Sequence, residues 1–237
     1  CGTVEAFVCP PPTPAPHLAV VGSRVRAEEF AGQRALVIGG SRGLGAAVVA
    51  LVAAGGGTPL FTYATGRREA RALERQIHAS GRSAEAVQFD VTGPTTKLAA
   101  IASRLGVTHL YYCATPRIFA RRRHPFDAPL FEQFARFYVD GFARVCAALS
   151  RRDHPLTALY PSTTAIDEPL RDLTEYTAAK AAGESLCRVL ETTVPGLRIL
   201  VRRLPRTATD QTMAIVEAAA ETPVDVMLPI VRQMQQP

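Results

Sequence analysis

Beyond Phe30, short apolar runs alternate with longer stretches in which apolar residues return every three or four positions. The runs predict buried strands at Ala35–Ile38, Pro59–Tyr63, Ala84–Phe89, His109–Cys113, Leu156–Tyr160 and Leu197–Val201. The helical period predicts helices at Leu44–Ala54, Glu69–Ala79, Lys97–Leu105, Leu130–Leu149, Glu175–Leu190 and Pro223–Gln233. The stretch from Leu130 carries its apolar stripe on Leu130, Phe134, Phe137, Phe142, Val145 and Leu149. Strands alternating with helices signify a parallel sheet, and right-handed crossovers set the strand order 3-2-1-4-5-6.

The first residues break this pattern. Cys1 to Val8 alternates like a strand end and is followed by Pro10-Pro11-Pro12-Thr13-Pro14-Ala15-Pro16. Proline at this density favours extended, semi-rigid spacer geometry. The chain lacks an initial methionine, so residues 1–31 are expected to be the tail of a preceding domain plus a Pro-rich linker, with one α/β domain over 32–237.

Composition narrows the class. A chain of 237 residues with 47% hydrophobic content can fill one α/β core. No apolar run approaches the ~20 residues that span a bilayer, and the first residues lack a basic-then-apolar signal pattern. A soluble, cytoplasmic protein is expected, with no membrane partner. Cys1, Cys9, Cys113, Cys146 and Cys187 are scattered and odd in number, which argues for reduced thiols. The five histidines show no metal-ligand spacing, so no metal is expected. The net charge of +6 includes Arg121-Arg122-Arg123-His124 in a loop, yet no nucleic-acid motif or aromatic interleaving accompanies it.

Two motifs carry chemistry. Gly39-Gly40-Ser41-Arg42-Gly43-Leu44-Gly45 opens a helix directly after the first strand. Glycines there let a backbone approach a pyrophosphate, and the helix N-terminus offers free N–H groups to the anion. Tyr176 and Lys180 stand four residues apart on one helix face, where the cation can favour ionisation of the phenol, ordinarily an acid of pKa about 10. With the loop first and the pair past the middle, the chain resembles the short-chain dehydrogenase/reductase family over roughly residues 32 to 213. The resemblance implies a Rossmann-type doubly wound sheet with its ligand at the carboxyl ends of the strands.

It also implies roles. Gly39, Ser41, Arg42, Gly43, Leu44 and Gly45 would hold the cofactor, with Asp90 and Val91 at the adenine, Ala114 along the dinucleotide and Thr209 at the carboxamide. Tyr176 would donate the proton, and Lys180 would lower its pKa and bind the nicotinamide ribose. A hydroxyl at the end of the fifth strand would hold the substrate oxygen. Family spacing selects Thr163, while residue type selects Ser162, and Ser162 is preferred. Tyr138 aligns with the asparagine that supports a water relay to the lysine. Ile38 replaces a threonine, Tyr112-Cys113-Ala114-Thr115 replaces Asn-Asn-Ala-Gly, and Arg206 replaces a glycine. Asp90 has a local reading too, as the cap of the turn that follows it.

No acid follows the second strand in Tyr63-Ala64-Thr65-Gly66-Arg67-Arg68. With Arg42 and Arg67 nearby, NADPH is expected over NADH. An NADPH-dependent ketoreductase acting on a small carbonyl substrate is expected, in a multidomain chain and a homodimer; Arg121 to Arg123 read first as a solvated loop, with docking of an acidic carrier protein or of a CoA-bound substrate as the alternative. The alternative is a non-catalytic cofactor-binding or structural module. An epimerase or dehydratase of nucleotide sugars fits less well, because those relatives carry an added substrate domain. The resemblance places a seventh strand after the last helix, and it is expected to be missing here.

Overall fold

The computed structural model describes residues 15–118, 126–150, 154–168, 170–205, 207 and 221–235. Six parallel strands form one sheet: β1 (Arg34–Ile38), β2 (Thr58–Tyr63), β3 (Glu85–Gln88), β4 (His109–Tyr112), β5 (Leu156–Thr163) and β6 (Leu197–Leu204). Their order is β3-β2-β1-β4-β5-β6, as expected from the alternating pattern. No seventh strand occurs among the described residues.

Side chains alternate across the sheet, so each strand feeds two cores. Ala35, Val37, Phe61, Tyr111 and Leu159 face α1 (Leu18–Gly22), α2 (Gly43–Ala54), α3 (Arg67–Ala79) and α8 (Pro223–Met234). Leu36, Ile38, Leu110, Tyr112, Ala158 and Tyr160 face α4 (Thr96–Leu105), the helix system from Ala128 to Leu149, and α7 (Thr174–Thr193). Every residue of α2 from Gly45 to Ala53 is buried, because the helix is enclosed by the sheet, α1 and α8; an all-round apolar sequence is the result. In α3 only Ala70, Leu73 and Ile77 are buried, and the other face is charged.

Three expectations are corrected. The domain begins before residue 32, since Leu18, Val21 and Phe30 are buried in the first core, and α1 carries two of them. A five-residue helix shows too little periodicity to read ahead of time. β5 and β6 run to Thr163 and Leu204, past the expected ends at Tyr160 and Val201. Pro161 is tolerated because β4 pairs with β5 only as far as Tyr111 and Leu159, so no neighbour on that side needs its missing N–H. The expected long helix is three segments: α5 (Ala128–Ala135), a π-helical turn at Arg136–Gly141 and α6 (Phe142–Leu149). Asp127 caps α5 by accepting from Leu130 N at 3.0 Å.

The π turn has an identifiable cause. Tyr112 points from β4 into it and donates to the Phe137 carbonyl at 2.6 Å. A side chain bonded into the helical ladder is a common origin of such a bulge, and bulges of this kind recur at functional sites.

Candidate functional site

At the carboxyl ends of the strands a cavity of about 770 Å³ runs from the glycine loop to α7. Among the sequence-selected residues, Gly39, Ser41, Arg42, Gly43, Leu44, Gly45, Asp90, Val91, Ala114, Tyr138, Ser162, Thr163, Tyr176 and Lys180 all line it. Arg67 does not; it starts α3 beside Gly66, which does. Thr209, Arg206 and Arg121 to Arg123 lie outside the described residues.

The loop is built for close approach. Gly39 has a φ of +78°, where an L side chain is strained, and a Cβ at Gly45 would stand 2.2 Å from the Gly39 carbonyl oxygen. No side chain caps the N-terminus of α2, so its first N–H groups remain available to an anion. The bracing hydroxyl that Ile38 cannot supply comes from the neighbouring strand, where the Thr62 side chain accepts from Gly39 N at 3.1 Å. Thr62 was not singled out from the sequence, although a threonine inside an apolar strand beside the loop was a visible signal. The Arg42 guanidinium lies about 3.5 Å from where a Cβ at Gly66 would be, which brings it to the start of α3. Asp90 does cap its turn, accepting from Thr92 N at 2.9 Å and Thr92 Oγ1 at 2.8 Å, and also lines the cavity. Arg144 holds that turn from α6 by donating to Gly93 O and Val91 O.

At the other end, Tyr176 and Lys180 share the cavity wall. Burial pushes the Tyr176 phenol up to about 12, while its hydrogen bond with Thr163 pulls the other way and loses. Burial also pulls the Lys180 ammonium down to about 7. Its Nζ donates to the Pro161 carbonyl and sits 5.9 Å from the centroid of the Tyr176 ring. In the protein alone, desolvation sets the direction of the phenol's shift.

Thr163 and Ser162 point to opposite sides of β5, as successive strand residues must. The Ser162 hydroxyl donates to Glu184 Oε1 at 2.6 Å, whereas Thr163 meets Tyr176. The preferred Ser162 is thus engaged by Glu184, and the alternative, Thr163, stands beside Tyr176. Glu184 is two turns beyond Tyr176 on α7 and also receives Arg203, at 2.9 Å and 2.7 Å, so its carboxyl is held below the usual range. Arg203 bonds Asp167 as well, tying the segment after β5 to α7. Glu184 and Arg203 were not foreseen; the spacing 176, 180, 184 on one helix face was the available signal.

Tyr138 is buried in the π turn, and its hydroxyl pairs with Thr115. Lys180 meets the ring of Tyr138. Cys146 and Cys187 are buried free thiols and Cys113 is half-buried. Among the described residues no cluster of His, Cys, Asp and Glu could hold a metal, and no helix is long and apolar enough to cross a membrane.

The sequence profile described as short chain dehydrogenase matches residues 33–221. Among the curated proteins none matches the chain significantly. Similar solved structures include a short chain dehydrogenase from Burkholderia cenocepacia in complex with NADP, 22% identical, covering 87% of this chain and 91% of its own, with a TM-score of 0.73. Another is FolM alternative dihydrofolate reductase 1 from Brucella canis complexed with NADP, 21% identical, covering 75% and 74%, TM-score 0.65. A third is acetoin dehydrogenase YohF from Salmonella typhimurium, 17% identical, covering 86% and 90%, TM-score 0.71.

Proposed function

The chain belongs to the short-chain dehydrogenase family of oxidoreductases, and we propose that it is an NADPH-dependent ketoreductase. The observation that carries this reading is that one cavity joins the glycine loop to Tyr176, Thr163 and Lys180. The loop fits a dinucleotide: a Cβ would fill the cradle at Gly45, and the α2 N-terminus is uncapped. Arg42, with Arg67 and Arg68 at the start of α3, favours a 2′-phosphate, and no acid lies between β2 and Arg68 to repel one. The Burkholderia and Brucella structures, which hold NADP, support the same cofactor.

NADPH, when bound, would supply a hydride to the substrate carbonyl carbon. Tyr176 then gives its proton to the carbonyl oxygen; a phenol kept protonated by burial is poised for that direction. Thr163 hydrogen-bonds the same oxygen and stabilises the charge that develops on it. Lys180 would hold the cofactor ribose and offset the phenolate left on Tyr176. Ala165, Leu170 and Leu173 give the substrate end an apolar wall.

We assign a β-ketoacyl thioester as the substrate, presented by CoA or an acidic carrier protein to Arg121 to Arg123, within a multidomain chain that pairs as a homodimer. NADPH oxidation over a panel of thioesters and free ketones tests the reading. Turnover by the wild-type chain and its loss in Tyr176→Phe are expected; reversal of charge at Arg121 to Arg123 should raise KM for thioesters alone. A second reading, a cofactor-binding module without turnover, draws on the Tyr138 hydroxyl being engaged by Thr115 rather than by Lys180. Tight NADPH binding with no carbonyl reduced would favour it.

A further inference from the structure

The tyrosine that stands where similar proteins keep an asparagine meets Lys180 with its ring. Lys180 Nζ lies 3.9 Å from the centroid of the Tyr138 ring, well inside the ~6 Å range of cation–π attraction. The ring is fixed on several sides. Phe134 stacks on it at 5.9 Å with planes 9° apart, Tyr176 meets it edge-on at 5.7 Å, and Thr115 anchors its hydroxyl.

We propose that Tyr138 is a positioning residue that seats the Lys180 ammonium on its ring face, so that aromatic attraction replaces a hydroxyl or amide partner at this position. The inference rests on the ketoreductase reading only for its kinetic consequence, because the seat is a property of the protein alone.

The surroundings of Lys180 favour such a seat. Tyr160 of β5 lies 5.1 Å away and Tyr176 5.9 Å, giving rings around the amine. Cys113, beyond β4, and Cys187, on α7, also face it, and burial pushes both thiols up to about 12, so neither carries charge near neutrality. Glu184 is the carboxylate that acts on Lys180 from α7, and it is held by Arg203 and Ser162. The ammonium donates to Pro161 O but has no dedicated counter-ion in this set. The negative ring face of Tyr138 opposes the burial that drives Lys180 toward its neutral form.

The test is NMR titration of the Lys180 ε-carbon in the full chain without cofactor. Tyr138→Phe keeps the ring and should leave the midpoint within about 0.3 pH unit, while Tyr138→Leu should lower it by about one unit or more. Mono-, di- and trifluorophenylalanine at position 138 keep the shape and weaken the ring face, so the midpoint should fall stepwise with each fluorine. This series also covers the case in which Tyr138→Leu fails to fold. A constant midpoint across the fluorinated series would overturn the proposal, as would a fall in Tyr138→Phe equal to that in Tyr138→Leu, which would assign the effect to the hydroxyl. In a catalytically competent chain the alkaline limb of kcat should move with the midpoint. Absence of any turnover would sink the ketoreductase reading and leave the titration result standing.

Discussion

Ser162 Oγ lies 2.6 Å from Glu184 Oε1 and donates to it, which commits that hydroxyl to Glu184 while the next residue, Thr163, meets Tyr176. The two neighbours therefore make opposite predictions. Thr163→Val should lower kcat/KM for ketone reduction by about 100-fold, the usual cost of losing one donor to a developing oxyanion. Ser162→Ala should lower it less than about 5-fold. Steady-state kinetics on both variants checks this, and the reverse order would restore Ser162 to the reaction.

Arg42 reaches the start of α3, and no carboxylate lies between the end of β2 and Arg68, the first acid being Glu69 in the first turn of α3. Arg42→Ala should weaken NADPH by about tenfold, roughly one charge-assisted contact, and leave NADH nearly unchanged. Fluorescence titration with both cofactors reads the ratio; an unchanged ratio would remove Arg42 from recognition.

Lys180 links the site to stability. Its pKa falls from 10.5 to about 7 on folding, so between those values the unfolded chain binds more protons and stability rises with pH. This contribution is complete above about 10.5 and is lost as pH falls toward 7. Lys180→Met removes it. Relative to wild type, the variant should be more stable at pH 7 than at pH 9 by about 2 kcal/mol, as the linkage slope over that window gives. Urea midpoints at the two pH values measure it, and a constant difference would contradict it.

The π turn offers a structural test. A Cβ at Gly141 would stand 2.6 Å from the Tyr112 hydroxyl and 2.9 Å from Arg136 O. Gly141→Ala should destabilise the chain by about 1–3 kcal/mol, the usual overpacking range. Tyr112→Phe in the same chain should recover part of that, since it removes the clashing oxygen. Additive losses in the double variant would show that the two positions are uncoupled.

These particulars show what was legible before the structure. The six strands followed from hydrophobic period, because parallel strands buried on both faces leave apolar runs, and the β3-β2-β1-β4-β5-β6 order followed from right-handed crossovers. The glycine loop and the Tyr176/Lys180 pair were legible because their chemistry depends on spacing within one element. Thr62, Glu184 and Arg203 were not, since each acts on a residue from another strand or helix. The π turn depends on Tyr112, 25 residues before the Phe137 carbonyl it bonds. The contrast between Ser162 and Thr163 lies in which hydroxyl meets Tyr176 and which meets Glu184, two turns further along α7, and neither residue type nor spacing decides that.

Deuterium transfer tests the account most directly. Incubating the chain with NADPH carrying two deuterons at C4 and a β-ketoacyl thioester should yield a hydroxy product with one deuterium on the carbinol carbon, by mass spectrometry, in wild type and not in Tyr176→Phe. Bound NADPH with no deuterium in any carbonyl substrate, or equal labelling by Tyr176→Phe, would contradict the claim that this cavity moves a hydride with Tyr176 as its proton donor.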